Sequence, residues 1–233
     1  MLRLSIFLIG LFLIVPSFAT SMTDDPILTM IKVDQLEIID IGNKNDMAWD
    51  LQGWIGQDLN KLWLKTEGES VNSEIEEAEV QLLYSRAVAP YWDAQIGWRH
   101  DSQPSPTRDW LVFGIQGLAP YFFETDIAFF ISDSGNIGLR TQFEYELMLS
   151  QKWILSPELE ANIFTKSDAV AGTGEGLSDM SLGLRLRYEL KREFAPYIGI
   201  EWNKRFGKTA DFAREENEHI SNFHWVMGVR VWF

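Results

Sequence analysis

Apolar and polar residues alternate along this chain in runs of roughly ten. From Ile137 to Leu147, the positions Ile137, Leu139, Thr141, Phe143, Tyr145 and Leu147 share one parity, and Gly138, Arg140, Gln142, Glu144 and Glu146 share the other. Met180 to Leu190 repeats the pattern, with Leu182, Leu184 and Leu186 against Gly183, Arg185 and Arg187. A helix would scatter each set around its circumference; an extended strand sorts it onto one face. Comparable runs occupy 47–56, 60–69, 77–87, 92–99, 109–117, 122–131, 153–164, 195–203 and 222–233, and a weaker run with mixed faces extends from Met30 to Ile39. The pattern predicts an all-β chain of about twelve antiparallel strands.

The length of the runs separates two β architectures. Strands of a soluble sandwich average about five or six residues, whereas about ten cross a bilayer at a tilt. Aromatic residues gather near run ends (Trp49, Trp98, Tyr121, Trp153, Tyr197 and Trp225), as an interfacial girdle requires. Short links alternate with longer polar ones at 40–46, 70–76, 100–108, 165–177 and 204–221. The tripeptide Ala-Pro-Tyr recurs at the short links, at 89–91, 119–121 and 195–197. Short turns at one end and longer loops at the other predict a transmembrane outer-membrane β-barrel, with both barrel termini on the periplasmic side. Trp225, Met227, Val229, Val231 and the terminal Phe233 share one face of the last run, like the assembly signal of bacterial outer-membrane proteins.

The start of the chain is a targeting segment. Arg3 precedes an unbroken apolar stretch from Leu4 to Val15, Pro16 ends it, and Ser17-Phe18-Ala19 offers small residues for cleavage before Thr20. About a dozen residues span only ~18 Å as a helix, short of the ~30 Å hydrocarbon core. Residues 1–19 are therefore expected to be a signal peptide, 20–29 a short N-terminal periplasmic segment, and 30–233 the barrel.

Composition narrows the chemistry. The 233 residues include no cysteine, which removes disulfide scaffolds, thiolate metal sites and cysteine nucleophiles. Twenty Lys and Arg against 34 Asp and Glu give a net charge of -14, which argues against nucleic acid and favours cations. If the apolar parity meets outer-membrane lipid, the opposite parity fills the lumen. That set includes Asp50, Lys65, Glu67, Glu77, Glu79, Asp93, Arg99, Glu124, Asp126, Arg140, Glu144, Glu146, Glu158, Glu160, Arg185, Arg187, Glu189, Glu201 and Arg230. Such a lumen is either a salt-bridged brace or a cation-selective path.

Candidate ligands outside the carboxylates are few. Met22 and Met30 offer thioethers suited to Cu(I) near the start of the mature chain. Of the three histidines, His100 and His219 fall in long loops, and His224 opens the last strand on its lumen-facing side. His219-Ile220-Ser221-Asn222 resembles the catalytic segment of outer-membrane lipid hydrolases, since i and i+2 share a strand face, but no third member or oxyanion donor accompanies it. A general cation-preferring porin is the other alternative.

Several stretches resemble the copper resistance protein B (CopB/PcoB) family of bacterial outer membranes. They are DQLE at 34–37, AWDLQGWIG at 48–56, KLWLKTEGE at 61–69, DAQIGWRHD at 93–101, DWLVFGIQGLAPYFFE at 109–124, LSDMSLGLRLRYELKREFAPYIGIEW at 177–202, FGKTADFAREENE at 206–218 and WVMGVRVWF at 225–233. The resemblance implies a non-enzymatic outer-membrane barrel that serves copper tolerance by binding copper ions, moving them out of the periplasm, or both. A periplasmic copper carrier is the implied partner. Many members carry a Met- and His-rich segment before the barrel. Here about ten residues fill that gap, with Met22 and Met30 and no His, so a copper role is expected to lie in the lumen or to depend on a periplasmic partner that delivers the metal. The residues expected to meet the metal are Met22, Met30, Glu144, Glu146, Glu158, Glu160 and His224.

Overall fold

The computed structural model describes residues 25–41, 44–72 and 74–233; the expected signal peptide at 1–19 and Met22 lie outside the described residues. Twelve antiparallel strands form one closed sheet. In chain order they are β1 (Leu28–Ile41), β2 (Lys44–Gly56), β3 (Asn60–Val71), β4 (Glu74–Ala89), β5 (Trp92–Gln103), β6 (Arg108–Ala119), β7 (Phe123–Ser132), β8 (Ile137–Glu144), β9 (Trp153–Phe164), β10 (Gly176–Tyr188), β11 (Phe194–Arg205) and β12 (Ser221–Trp232). Each strand pairs with the next, and β12 pairs with β1 to close the barrel. Ile31 N–H donates to Phe233 O at 3.0 Å and Phe233 N–H to Ile31 O at 2.9 Å, so the terminal phenylalanine completes the seam. Closure leaves no sheet edge, the condition for a sheet to sit in lipid.

Burial is inverted relative to a water-soluble protein. Along β4 the buried residues are Glu79, Gln81, Leu83 and Ser85, while Val80, Leu82 and Tyr84 are exposed on the outside. Leu111, Phe113, Ile115, Ile198, Trp225 and Met227 continue that outer apolar band. One strand is interrupted. After Glu144, β8 breaks and resumes only for Leu147–Met148. The break lies across from Pro157 of β9, which has no N–H to give the ladder.

Three of the five links expected to be long are short. Strand β1 extends to Ile41 and β2 starts at Lys44, β3 extends to Val71 and β4 starts at Glu74, and β5 extends to Gln103 before β6 starts at Arg108. The long connections are those at 165–175 and 206–220. The second contains a helix, α1 (Gly207–Glu215), whose Thr209, Ala210 and Ala213 are buried. Thr209 Oγ1 accepts from Gly174 N–H at 2.8 Å and lies 2.9 Å from Ser178 Oγ, which seats α1 on the loop before β10.

The Ala-Pro-Tyr repeat divides in the same way. Tyr91 and Tyr121 stand in turns, each with φ 68°. Ala195-Pro196-Tyr197 instead lies inside β11, and Tyr197 points into the barrel with 4% of its surface exposed, not into a girdle. Its room comes from Gly228 on the neighbouring strand, where a Cβ would stand 2.6 Å from the tyrosine oxygen. Trp98, Trp153 and Trp225 do face outward.

Candidate functional site: a braced, charged lumen

The inward parity of twelve strands meets in the lumen, and many of its charges are tied to partners on other strands. Arg185 of β10 holds three carboxylates: Glu37 at 2.5 Å, Glu158 at 2.7 Å and Glu201 at 2.7 Å. Arg140 of β8 reaches Glu67 at 2.9 Å and Glu79 at 3.0 Å on the far wall, and Arg99 joins the same Glu79 at 2.7 Å. Nearer the terminus-bearing end, Arg230 binds Glu144 at 3.0 Å and Asp34 at 3.1 Å, while Arg187 binds Glu146. Lys65 crosses to Asp126 at 2.8 Å and Gln116 at 3.2 Å. Forked guanidinium groups suit this work because one side chain can serve several carboxylate oxygens.

Below the Arg140 and Arg185 bridges lies a cavity of about 810 Å³, reaching Trp232, Arg192 and Tyr91 toward the terminus-bearing end. Eleven carboxylates and eight Lys or Arg line it, so it is acidic but far from unbalanced. The excess is less steep than the alternation predicts because Lys32, Lys61 and Arg192 also line the cavity. One wall also carries an apolar patch. Trp63, Leu83, Trp110, Val112 and Phe130, from β3 to β7, form a buried apolar cluster.

The four glutamates expected at the site do reach the lumen, on adjacent strands, with Glu144 paired across from Glu158. They are divided among partners. Glu144 and Glu146 belong to Arg230 and Arg187, and Glu158 belongs to Arg185. Glu160 accepts from Asn162 at 2.8 Å and Gln142 at 3.2 Å. Met30 is separate from them: it lies within β1 and packs against the apolar cluster, where a thioether is a good filler beside tryptophan. His224 is buried on the inward face of β12, 4.0 Å from Glu201. Among the described residues, no three His, Asp or Glu side chains gather at metal-binding distance.

The hydrolase geometry is not built. His219 precedes β12, so it shares no strand face with Ser221, and Ser221 Oγ instead accepts from Trp202 Nε1 at 2.8 Å. His100 is also engaged, with Nδ1 2.8 Å from Asp109 and its ring stacked on Trp98. Two features escaped the sequence pattern: Glu37, the partner of Arg185 that is 1% exposed, and the apolar wall. Glu37 sits in the run whose faces are mixed, and bulges in β1 between Val33 and Glu37 explain the mixing.

A closed barrel with an apolar exterior and a charged interior defines a transmembrane β-barrel of the outer-membrane type. The chain belongs to the copper resistance protein B family: the family model described as "Copper resistance protein B precursor (CopB)" matches residues 27–233. It is 45% identical over 210 residues to Copper resistance protein B of Escherichia coli, an alignment covering 90% of this chain and 71% of that protein. It is 43% identical, with the same coverage, to the Copper resistance protein B homolog of Pseudomonas syringae pv. tomato (strain ATCC BAA-871 / DC3000). Among solved structures, the NanC porin aligns over 88% of this chain and 99% of its own with a TM-score of 0.57 at 12% identity. The KdgM porin aligns with the same coverage and identity and a TM-score of 0.51, so the two share the fold.

Proposed function

We propose that this barrel contributes to copper resistance by binding copper ions in its acidic lumen and moving them out of the periplasm across the outer membrane. The observation that carries the reading is the terminus-end cavity, in which carboxylates outnumber basic groups and Arg140, Arg185, Arg187 and Arg230 are each shared among two or more acids. An entering cation competes for a carboxylate that is already held in place, so binding needs an exchange of partners rather than an ordering of side chains. Exchange also keeps the ion mobile, since conduction requires sites that release as well as capture. The terminus-bearing end faces the periplasm in this reading, after residues 1–19 have directed export and been removed. A periplasmic carrier presents the metal there, and Met30 gives a soft contact beside the apolar wall. The protein performs no catalysis.

Replacing Glu144, Glu146, Glu158 and Glu160 together with Gln tests the lumen. Copper tolerance of a complemented deletion strain should fall toward that of the deletion, with barrel levels and heat-modifiable gel mobility unchanged. Full tolerance in the folded variant would sink this reading. Periplasmic copper after a challenge gives the direction: accumulation in the deletion strain supports export, and depletion reverses it.

A further inference from the structure

Above Arg185, toward the loops, lies a patch of lone-pair donors that the ionic lattice does not use. His224 is 6% exposed, and neither of its ring nitrogens has a hydrogen-bond partner. Its neighbour across the β11–β12 ladder is Glu201. One oxygen of Glu201 is held by Arg185 at 2.7 Å; the other stands 4.0 Å from His224 Nε2, beyond hydrogen-bond reach. Two residues along the same inward face of β11, Asn203 Oδ1 is shielded and also without a partner. Three of the seven buried, partnerless side-chain polar atoms among the described residues fall on this one patch. Leaving such groups unmatched is costly, and a ligand shared by one imidazole nitrogen and the Asn203 oxygen would match two of the three.

The donor set selects that ligand. An imidazole nitrogen, a carboxylate oxygen and an amide oxygen all offer lone pairs, and a metal cation satisfies the three together. Two metal–ligand bonds of about 2.0–2.2 Å each, set nearly in line, bridge atoms up to about 4.4 Å apart, so an ion lying between His224 and Glu201 spans their 4.0 Å separation. Charge agrees: Glu37, Glu158 and Glu201, when ionised, surround a single guanidinium and leave two negative charges for a divalent ion to offset. Nitrogen and oxygen ligands favour Cu(II) and its borderline divalent relatives, whereas Cu(I) prefers thioethers.

We infer that His224, Glu201 and Asn203 form a divalent-cation site on the loop side of the Arg185 bridge, selective for Cu(II) over Cu(I). This rests on the copper reading above and assigns the oxidation state to a place. Copper that enters the lumen as Cu(II) would meet a site suited to it beyond the Arg185 bridge.

The test uses the full mature barrel, without a histidine tag, in lipid nanodiscs and titrated with copper(II) sulfate. A His100→Gln, His219→Gln background leaves His224 as the one imidazole, since the chain has three histidines. Electron paramagnetic resonance should then show nitrogen coupling from a single imidazole. Adding His224→Gln should abolish the coupling and weaken Cu(II) binding by about tenfold or more, at least the loss typical of an outer-shell partner. Asn203→Ala should weaken it less, and Cu(I) binding should not change in either variant. Heat-modifiable mobility shows that each variant is folded. Absence of nitrogen coupling in the background protein, or Cu(II) binding unchanged by His224→Gln, would overturn the inference. Copper tolerance lost in the four-glutamate variant alongside that result would leave the lumen reading standing. Unaltered tolerance together with a His224-dependent spectrum would do the reverse.

Discussion

The two walls of the lumen solve the same packing problem with opposite chemistry. On β3 to β7 part of the inner surface is an apolar patch of Trp63, Leu83, Trp110, Val112 and Phe130, which pack side by side among inward charges such as Lys65, Glu79 and Arg99. Elsewhere it is filled by arginines and carboxylates that reach across, such as Arg140 to Glu79 and Arg230 to Glu144. Apolar side chains gain by excluding water locally, so they cluster and stay put. Charged ones must find partners wherever those lie, so they brace the barrel along chords. An ion can therefore travel only where carboxylates lie: the apolar patch offers no ligand, and a carboxylate already paired with arginine offers one through exchange.

If the charged wall braces the barrel, its hub should be the most damaging residue to lose. Arg185→Met leaves Glu37, Glu158 and Glu201 without their counter-charge, and breaking a buried ion pair from one side costs about 3–5 kcal/mol. Urea unfolding in lipid vesicles should show that loss. Combining Arg185→Met with Glu37→Gln should recover part of it, because fewer buried charges stay uncompensated. A single variant as stable as the parent would mean that the lattice is ornamental and the two walls do not differ in kind.

The apolar wall predicts a smaller loss with no charge dependence. Leu83 is 1% exposed within the cluster, and Leu83→Ala should cost about 3 kcal/mol through lost transfer energy and the cavity left behind. Its sequence neighbour Leu82 is 45% exposed on the outer face, where surrounding lipid can close any gap, so Leu82→Ala should cost less. Equal effects for the two leucines would show that the cluster is no better packed than the lipid boundary.

That pair also marks how far the sequence could be read. Strand positions are legible because one parity meets lipid and the other does not, and the alternation survives in β4, β8 and β10. In Trp110-Leu111-Val112-Phe113 both parities are apolar, so nothing in the pattern says which pair faces inward; only closure of the sheet decides it. The glutamates of the charged wall were readable as lumenal, yet their division among Arg185, Arg187 and Arg230 depends on strands far apart in sequence. Glu37 was hidden by the bulges of β1. Helix α1 sits in a polar stretch whose apolar content is two alanines and a phenylalanine, too little for a helical period to stand out.

The mildest consequence lies outside the membrane, where the two walls are joined above the barrel. Arg108, at the start of β6, donates to Asp168 at 2.9 Å and to Pro104 O at 2.8 Å, linking the loop after β5 to the loop after β9. Burial opposes ionisation of Asp168. The Arg108 hydrogen bond and the backbone N–H groups of Ala171 and Val170 outweigh it and hold the carboxyl below its ordinary value. A depressed carboxylate favours the folded latch above the ordinary carboxylate range, and that contribution disappears as pH falls through the lowered value. Because the pair is partly solvated, it is worth within about 1 kcal/mol. Proteolysis of the 165–175 loop should therefore speed up only in strongly acidic buffer, read with an acid-active protease. Arg108→Gln should make cleavage fast at neutral pH as well and remove most of the acid step. An acid step of undiminished size in Arg108→Gln would place the latch elsewhere, on the Asp168 turn itself.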